Sequence, residues 1–256
     1  MARGYEPPTG RGITEEAHHN GAPMPDGNPW DDHADAYAAW VAHREQSLDL
    51  SGGLLAPLLD LLGDVRGRAV LDAGCGGGFL ARILVARGAH VTGIDLGPRL
   101  IAIARERDPQ HTIAYRVADL SRPLPDLAGA FDMVGSYLAL DDVADHRGFA
   151  ACLAALTRPG GRAVLALNNP YSSVVRGHLT DYFADGARAI YGGMSAALGG
   201  EVSYHHRTMG EYLAAFLAAG WRLAALVDVP APPRDDLPLP PGSRFPFFTV
   251  LAFDKP

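Results

Sequence analysis

The chain has 256 residues, 48% of them hydrophobic, and a formal net charge of −7. That length buries a full core and suits one α/β domain with elaborations. An acidic balance with no Lys/Arg run argues against a nucleic-acid partner, since phosphate-backbone binding needs a basic stripe. The two cysteines, Cys75 and Cys152, make neither a disulfide framework nor a metal-ligand cluster, and no metal site is expected. No apolar run approaches membrane-spanning length or looks like a signal peptide, so the expected place is the cytoplasm, away from any membrane.

Ten glycines and prolines fall between Gly4 and Pro29 among few apolar residues. Residues 1–29 are therefore expected to form a disordered or loose arm, with one domain over residues 30–256. Trp30, Tyr37, Trp40 and Val41 are spaced for one face of a helix, and Leu54, Leu55, Leu58, Leu59 and Leu62 mark a second, core-facing one. Ala69 to Leu71 then read as a buried strand ending at Asp72 and breaking into Gly74-Cys75-Gly76-Gly77-Gly78. The amphipathic segment from Phe79 follows. Ala89 to Ile94 form the next strand, closed by Asp95, 21 residues after Gly74. An acid at that place accepts hydrogen bonds from both hydroxyls of a ribose.

Charge distinguishes the nucleosides. In the dinucleotide fingerprint a third glycine would stand at position 79, which here is Phe79. A carboxylate at Asp72, beside the turn, repels a pyrophosphate and suits an ammonium or sulfonium group. Further on, Pro98 opens a helix. Ile113 to Ala118 read as a third strand ending at Asp119-Leu120, and Ala130 to Gly135 as a fourth, followed by Ser136-Tyr137. Open α/β sheets bind ligands beyond the carboxyl ends of their strands, so Ser136 and Tyr137 should lie between cofactor and substrate. Asp145 to Thr157 form a helix, stopped by Pro159-Gly160-Gly161, and Arg162 to Leu167 a fifth strand.

Val70-Leu71-Asp72-Ala73-Gly74-Cys75-Gly76-Gly77-Gly78 resembles the first motif of the class I S-adenosylmethionine-dependent methyltransferases, and the Arg158-Pro159-Gly160-Gly161 turn fits the same pattern. The resemblance covers about residues 30–256 and is specific over 69–167. It implies a Rossmann-like, seven-stranded, mostly parallel sheet with an antiparallel last strand and helices on both faces. It also implies S-adenosyl-L-methionine as cofactor, held by Tyr37, Asp72, Gly74, Gly76, Asp95, Leu96, Asp119, Leu120, Ser136 and Tyr137. In that family an N-terminal aromatic helix lids the cofactor, which is the role expected of Tyr37. Asp119 is expected to meet the adenine amine.

Asn169-Pro170-Tyr171 is similar to the N-P-P-Y of amino-methylating nucleic-acid enzymes. It follows the fifth strand rather than the fourth and lacks the second proline, so it carries no such assignment. Residues 168–207 interrupt the alternation with aromatics and histidines, a stretch long enough to be a substrate cap. Met209, Tyr212, Leu213, Phe216 and Leu217 form a helix. Trp221 to Val229 and Phe247 to Phe253 are the last strands, an antiparallel closing pair.

Methyl transfer is an in-line displacement that rests mainly on alignment, and a hydroxyl acceptor also needs a base. Histidine is the natural one, so His206, with His178 and His205, are the candidates. Asp141 is the alternative base or acceptor-binding group. The expected reaction is O-methylation of a small-molecule acceptor, a specialised metabolite, with a homodimer as the expected assembly. Two other readings stay open: an enzyme that binds the cofactor but drives cyclisation or rearrangement, and a non-catalytic cofactor-binding module.

Overall fold

The computed structural model describes residues 29–45, 53–177, 179–184, 188–190, 198, 203–230 and 243–256. The expected arm lies almost wholly outside them. Helices α1 (Pro29–Asp32) and α2 (Ala34–Glu45) stand where one helix is expected, divided at His33. α3 (Leu55–Leu62) precedes β1 (Ala69–Ala73), and α4 (Phe79–Ala86), β2 (His90–Asp95), α5 (Pro98–Glu106) and β3 (Ala114–Val117) follow in turn. β3 begins one residue late because the Ile113 amide donates to Asp108 Oδ2 at 2.9 Å instead of entering the ladder.

β4 (Phe131–Tyr137) runs into a 3₁₀ turn at Leu140–Asp142, and α6 (His146–Leu156) leads to β5 (Thr157–Asn168). β5 starts five residues earlier than the sequence suggests. The Gly160 amide donates to Lys255 O and the Lys255 amide to Gly161 O, so pairing continues through the Pro-Gly-Gly turn. In the expected cap lie α7 (Pro170–Val175) and a two-stranded antiparallel ribbon of β6 (Arg188–Ile190) and β7 (Ser203–His205). α8 (Met209–Ala218), β8 (Arg222–Pro230) and β9 (Pro246–Asp254) complete the described chain.

The seven strands are ordered β3-β2-β1-β4-β5-β9-β8. β9 runs antiparallel to both β5 and β8, and every other pairing is parallel. This is the expected mostly parallel sheet with a reversed last strand.

Alternation divides the central strands between two helical layers. Val70, Val164, Ala166, Val250 and Ala252 face the leucines of α3 and α4. Leu71, Ala163, Leu165, Leu251 and Phe253 face α6 and α8. With both faces covered, the carboxyl ends of β1, β2 and β4 are the open rim, and the site is built there.

Candidate functional site

The turn after β1 can be made only by glycine at two places. Gly74 has φ +72°, and a Cβ there would collide with the Cβ of Ala139; Gly78 has φ +79°, and a Cβ would meet the Tyr115 hydroxyl. The turn thus lies flat between the loop after β4 and the side chain of β3.

Asp72, at the end of β1, is 1% exposed, and its carboxylate has no side-chain hydrogen-bond partner, only the nearby Ala81 amide. Burial lifts its pKa to about 7; the Ala81 amide and Arg82 pull it down and the Asp95 charge adds to the rise. A buried carboxyl with no bonded counter-ion beside a glycine turn calls for a cation. The sulfonium and ammonium of S-adenosylmethionine supply positive charge without phosphate, so the residues present fit that cofactor.

Asp95 spans the turn. Its Oδ2 accepts from the Gly76 amide and its Oδ1 from the Gly97 amide, both at 2.8 Å. Burial raises its pKa against those two bonds. The bonds fix the carboxylate's direction and leave lone pairs for a ribose. Leu96 is exposed beside it, whereas Leu120 is buried in the core. Asp119 Oδ1 accepts from the Ser121 amide (2.8 Å) and hydroxyl (2.6 Å), and its Oδ2 lies 3.8 Å from Arg122 Nε. One oxygen is therefore committed to the loop.

Ser136 is fully buried and its hydroxyl donates to the Ala73 carbonyl at 2.8 Å, so it ties β4 to β1 at the turn. Tyr137 is half-buried at the rim, its ring 5.6 Å from Phe79.

Tyr37 covers the turn: a Cβ on Gly76 would touch its Cε1 at 3.7 Å. Burial raises its phenol pKa, and the charges of Asp142, Asp95 and Asp72 add to the rise. Tyr37 and Trp30 pack with Leu179, Leu198 and Tyr204. The N-terminal helices and the cap therefore meet above the site.

Among the histidines, His178 lies outside the described residues. His205 sits on β7 opposite Arg188. His206 is buried, and its Nε2 lies 2.8 Å from the Tyr182 carbonyl. A carbonyl only accepts, so Nε2 carries the proton and Nδ1 the lone pair; Nδ1 is buried without a partner. Strand alternation puts position 206 on the side of Tyr204 and position 205 on the other, in line with the buried-intermediate-buried sequence of exposures.

Asp141 is fully engaged. Oδ2 accepts from the Asn168 amide (2.9 Å) and side chain (2.8 Å), and Oδ1 from the Tyr212 hydroxyl (3.0 Å). Burial raises its pKa in spite of these bonds. Arg207 Nη2 donates to the carbonyls of Val143 and Ala144, closing the same knot. These partners were invisible in the sequence because Asn168 and Tyr212 are 27 and 71 residues from Asp141. Among the described residues no group of three or more His, Cys, Asp or Glu could hold a metal ion, and no helix is long and apolar enough to cross a membrane.

This geometry has counterparts. Residues 71–165 match the family described as "Methyltransferase domain". The chain is similar to the ubiquinone biosynthesis O-methyltransferase of Bordetella avium, 38% identical over 104 residues, covering 40% of this chain and 43% of that protein. The Aromatoleum aromaticum protein of the same name is 36% identical over 113 residues, covering 43% and 48%. The chain thus spans about half the length of the curated relatives it matches. In fold it is similar to an S-adenosylmethionine-dependent methyltransferase from Mesorhizobium loti, with TM-score 0.63, 24% identity and coverage of 81% of this chain and 100% of that one. A TehB-like relative from Corynebacterium glutamicum gives TM-score 0.59 at 24% identity over 88% and 99%. The glycine turn and the acid of β1 fall inside the matched stretch, the reversed last strand completes the same sheet, and residues 71–165 are accordingly a methyltransferase domain on the class I S-adenosylmethionine-dependent fold.

Proposed function

We propose that this chain methylates a hydroxyl of a small-molecule acceptor, a specialised metabolite, with His206 as the base. The observation that carries the proposal is the buried, unpartnered Nδ1 of His206, on a ring held by the Nε2 contact to Tyr182 O. The names of the Bordetella and Aromatoleum relatives, both O-methyltransferases, support an oxygen acceptor.

S-adenosylmethionine supplies the electrophilic methyl group when bound. Asp72 meets its positive end, Asp95 and Asp119 its ribose and adenine, and Gly74 and Gly76 let the backbone approach. Tyr37, Trp30 and Tyr204 form an apolar roof that excludes water. Alignment contributes on the order of 7–11 kcal/mol in such a displacement. His206 Nδ1 would take the hydroxyl proton as the acceptor oxygen bonds to the methyl carbon and the methyl–sulfonium bond breaks, its electron pair staying on the sulfur of the departing S-adenosylhomocysteine, and Tyr182 O would hold the ring in register. Asp141, its oxygens committed to Asn168 and Tyr212, anchors the loop after β4 instead of carrying a proton. The aromatic cap and the acidic charge favour a neutral or cationic aromatic acceptor over nucleic acid, in the cytoplasm, with the chain as a homodimer.

The test is incubation with labelled cofactor and candidate phenols, following S-adenosylhomocysteine and the mass gain of the acceptor. One product should form per homocysteine derivative released. His206→Gln should lower kcat by about 10²–10⁴-fold without weakening cofactor binding. Bound cofactor with no homocysteine derivative under any acceptor would reject methyl transfer, and full turnover by His206→Gln would reject the base.

A further inference from the structure

The N-terminal helices are fastened to one element, α5. The first helical amides need acceptors, and Gly97, at the N-cap of α5, makes no side-chain cap. The acceptor comes from far away in the chain. Asp31 Oδ1 takes the Arg99 amide at 2.7 Å and the Leu100 amide at 3.3 Å. Arg99 Nη2 in turn reaches Asp35 Oδ1 at 2.5 Å. At the far end of α5, Arg107 Nη2 donates to the Ala38 carbonyl at 2.7 Å. Between these ties Ala34 and Ala38 pack on Leu100 and Ile103.

The position of this joint matters. α5 begins directly after Asp95-Leu96-Gly97, the stretch that presents the ribose acid, and the Gly97 amide itself holds Asp95 Oδ1. Asp31 is near enough for its charge to help keep the Asp95 carboxyl above its usual range. The helices that Asp31 belongs to carry Tyr37 onto Gly76. One carboxylate thus joins the roof of the nucleoside site to its wall.

We infer that Asp31 is a positioning residue for the cofactor: by capping α5 from the N-terminal helices, it keeps Tyr37 closed over the nucleoside site and slows cofactor exchange. The inference rests on the reading of Tyr37 and Asp95 as cofactor residues. Asp31 touches no ligand; it acts through the helix pair. Opening the roof requires two amides to give up their acceptor, and that cost adds to the barrier for dissociation.

The experiment measures the dissociation rate of S-adenosylhomocysteine from the full chain by stopped-flow fluorescence, together with the melting temperature without ligand. Asp31→Ala should speed dissociation about five-fold, the usual worth of a helix cap. Asp31→Asn, whose amide oxygen still accepts, should restore the slow rate. In a Tyr37→Ala background Asp31→Ala should add nothing, because the roof has already lost its contact. An unchanged rate in Asp31→Ala, or an equal acceleration with and without Tyr37, overturns the inference and leaves Asp31 as a plain cap of α5. If Tyr37→Ala itself leaves dissociation unchanged, the cofactor reading of Tyr37 fails, a result distinct from failure of the cap. Should Asp31→Ala not fold, Asp31→Glu, which keeps the charge and misplaces the oxygen, is judged against the same outcomes.

Discussion

Among the described residues Asp72 has no bonded counter-ion, and the fold bears the consequence. A carboxyl whose pKa rises from 3.8 to about 7 on folding holds a proton that the unfolded chain releases, so stability falls as pH climbs from about 4 to about 7. The full span is worth on the order of 4 kcal/mol, at about 1.4 kcal/mol per unit. The ligand-free chain is therefore expected to lose stability over this window relative to Asp72→Asn. Urea unfolding of both proteins at pH 5 and pH 7.5 checks it; parallel pH profiles would show that the carboxyl is not isolated. Cofactor affinity should move the other way, tightening as Asp72 ionises. The spacing of Asp72, Gly74, Gly76 and Asp95 was legible in the sequence because one strand-turn-helix unit sets it. The hydroxyl contact of Ser136 to Ala73 was not legible, because exposure at a strand's end is not written in the residue type. Asp31 had a signal that went unread: α5 opens on Gly-Pro with no polar cap of its own.

At the scale of elements, α6 and α8 are each tied at their start by a side chain. α6 is capped by Asp145, whose Oδ1 takes the Gly148 amide at 2.8 Å. α8 has a reciprocal box, in which the Thr208 hydroxyl accepts from the Glu211 amide and Glu211 Oε2 accepts from the Thr208 amide at 2.7 Å. Thr208→Ala should cost about 1 kcal/mol, and up to about 2, by urea unfolding. Since Thr208 follows Arg207 and His206 directly, the same variant should lower kcat more than it weakens cofactor binding. Helix periodicity showed α3, α4, α6 and α8 from apolar spacing alone. It could not show the break at His33, which accompanies the turn of Asp31 toward α5. The ribbon of β6 and β7 was legible only as an interruption, because its residues carry no alternating pattern.

For the molecule as a whole, two apolar layers on one sheet carry the stability. Phe216 is fully buried on α8 and stacks on Phe253 of β9, centroids 4.5 Å apart and planes 11° from parallel. Phe216→Ala should cost about 3–5 kcal/mol, measured from the denaturation midpoint at constant m-value, because so large a void cannot close in a packed core. The order of alternating strands and helices, read together with the glycine motif, made this architecture legible before any coordinates. The position of β9 was legible only as a closing pair with β8; its second partner, β5, stands some 80 residues earlier.

That slot has a consequence for synthesis. Until residues 246–254 emerge, β5 and β8 have no shared neighbour, and each leaves a row of amides and carbonyls open. A nascent chain arrested upstream of Pro246 would leave β5 with an open edge and β8 with no strand to pair with. The sheet is completed from the middle, by an insertion.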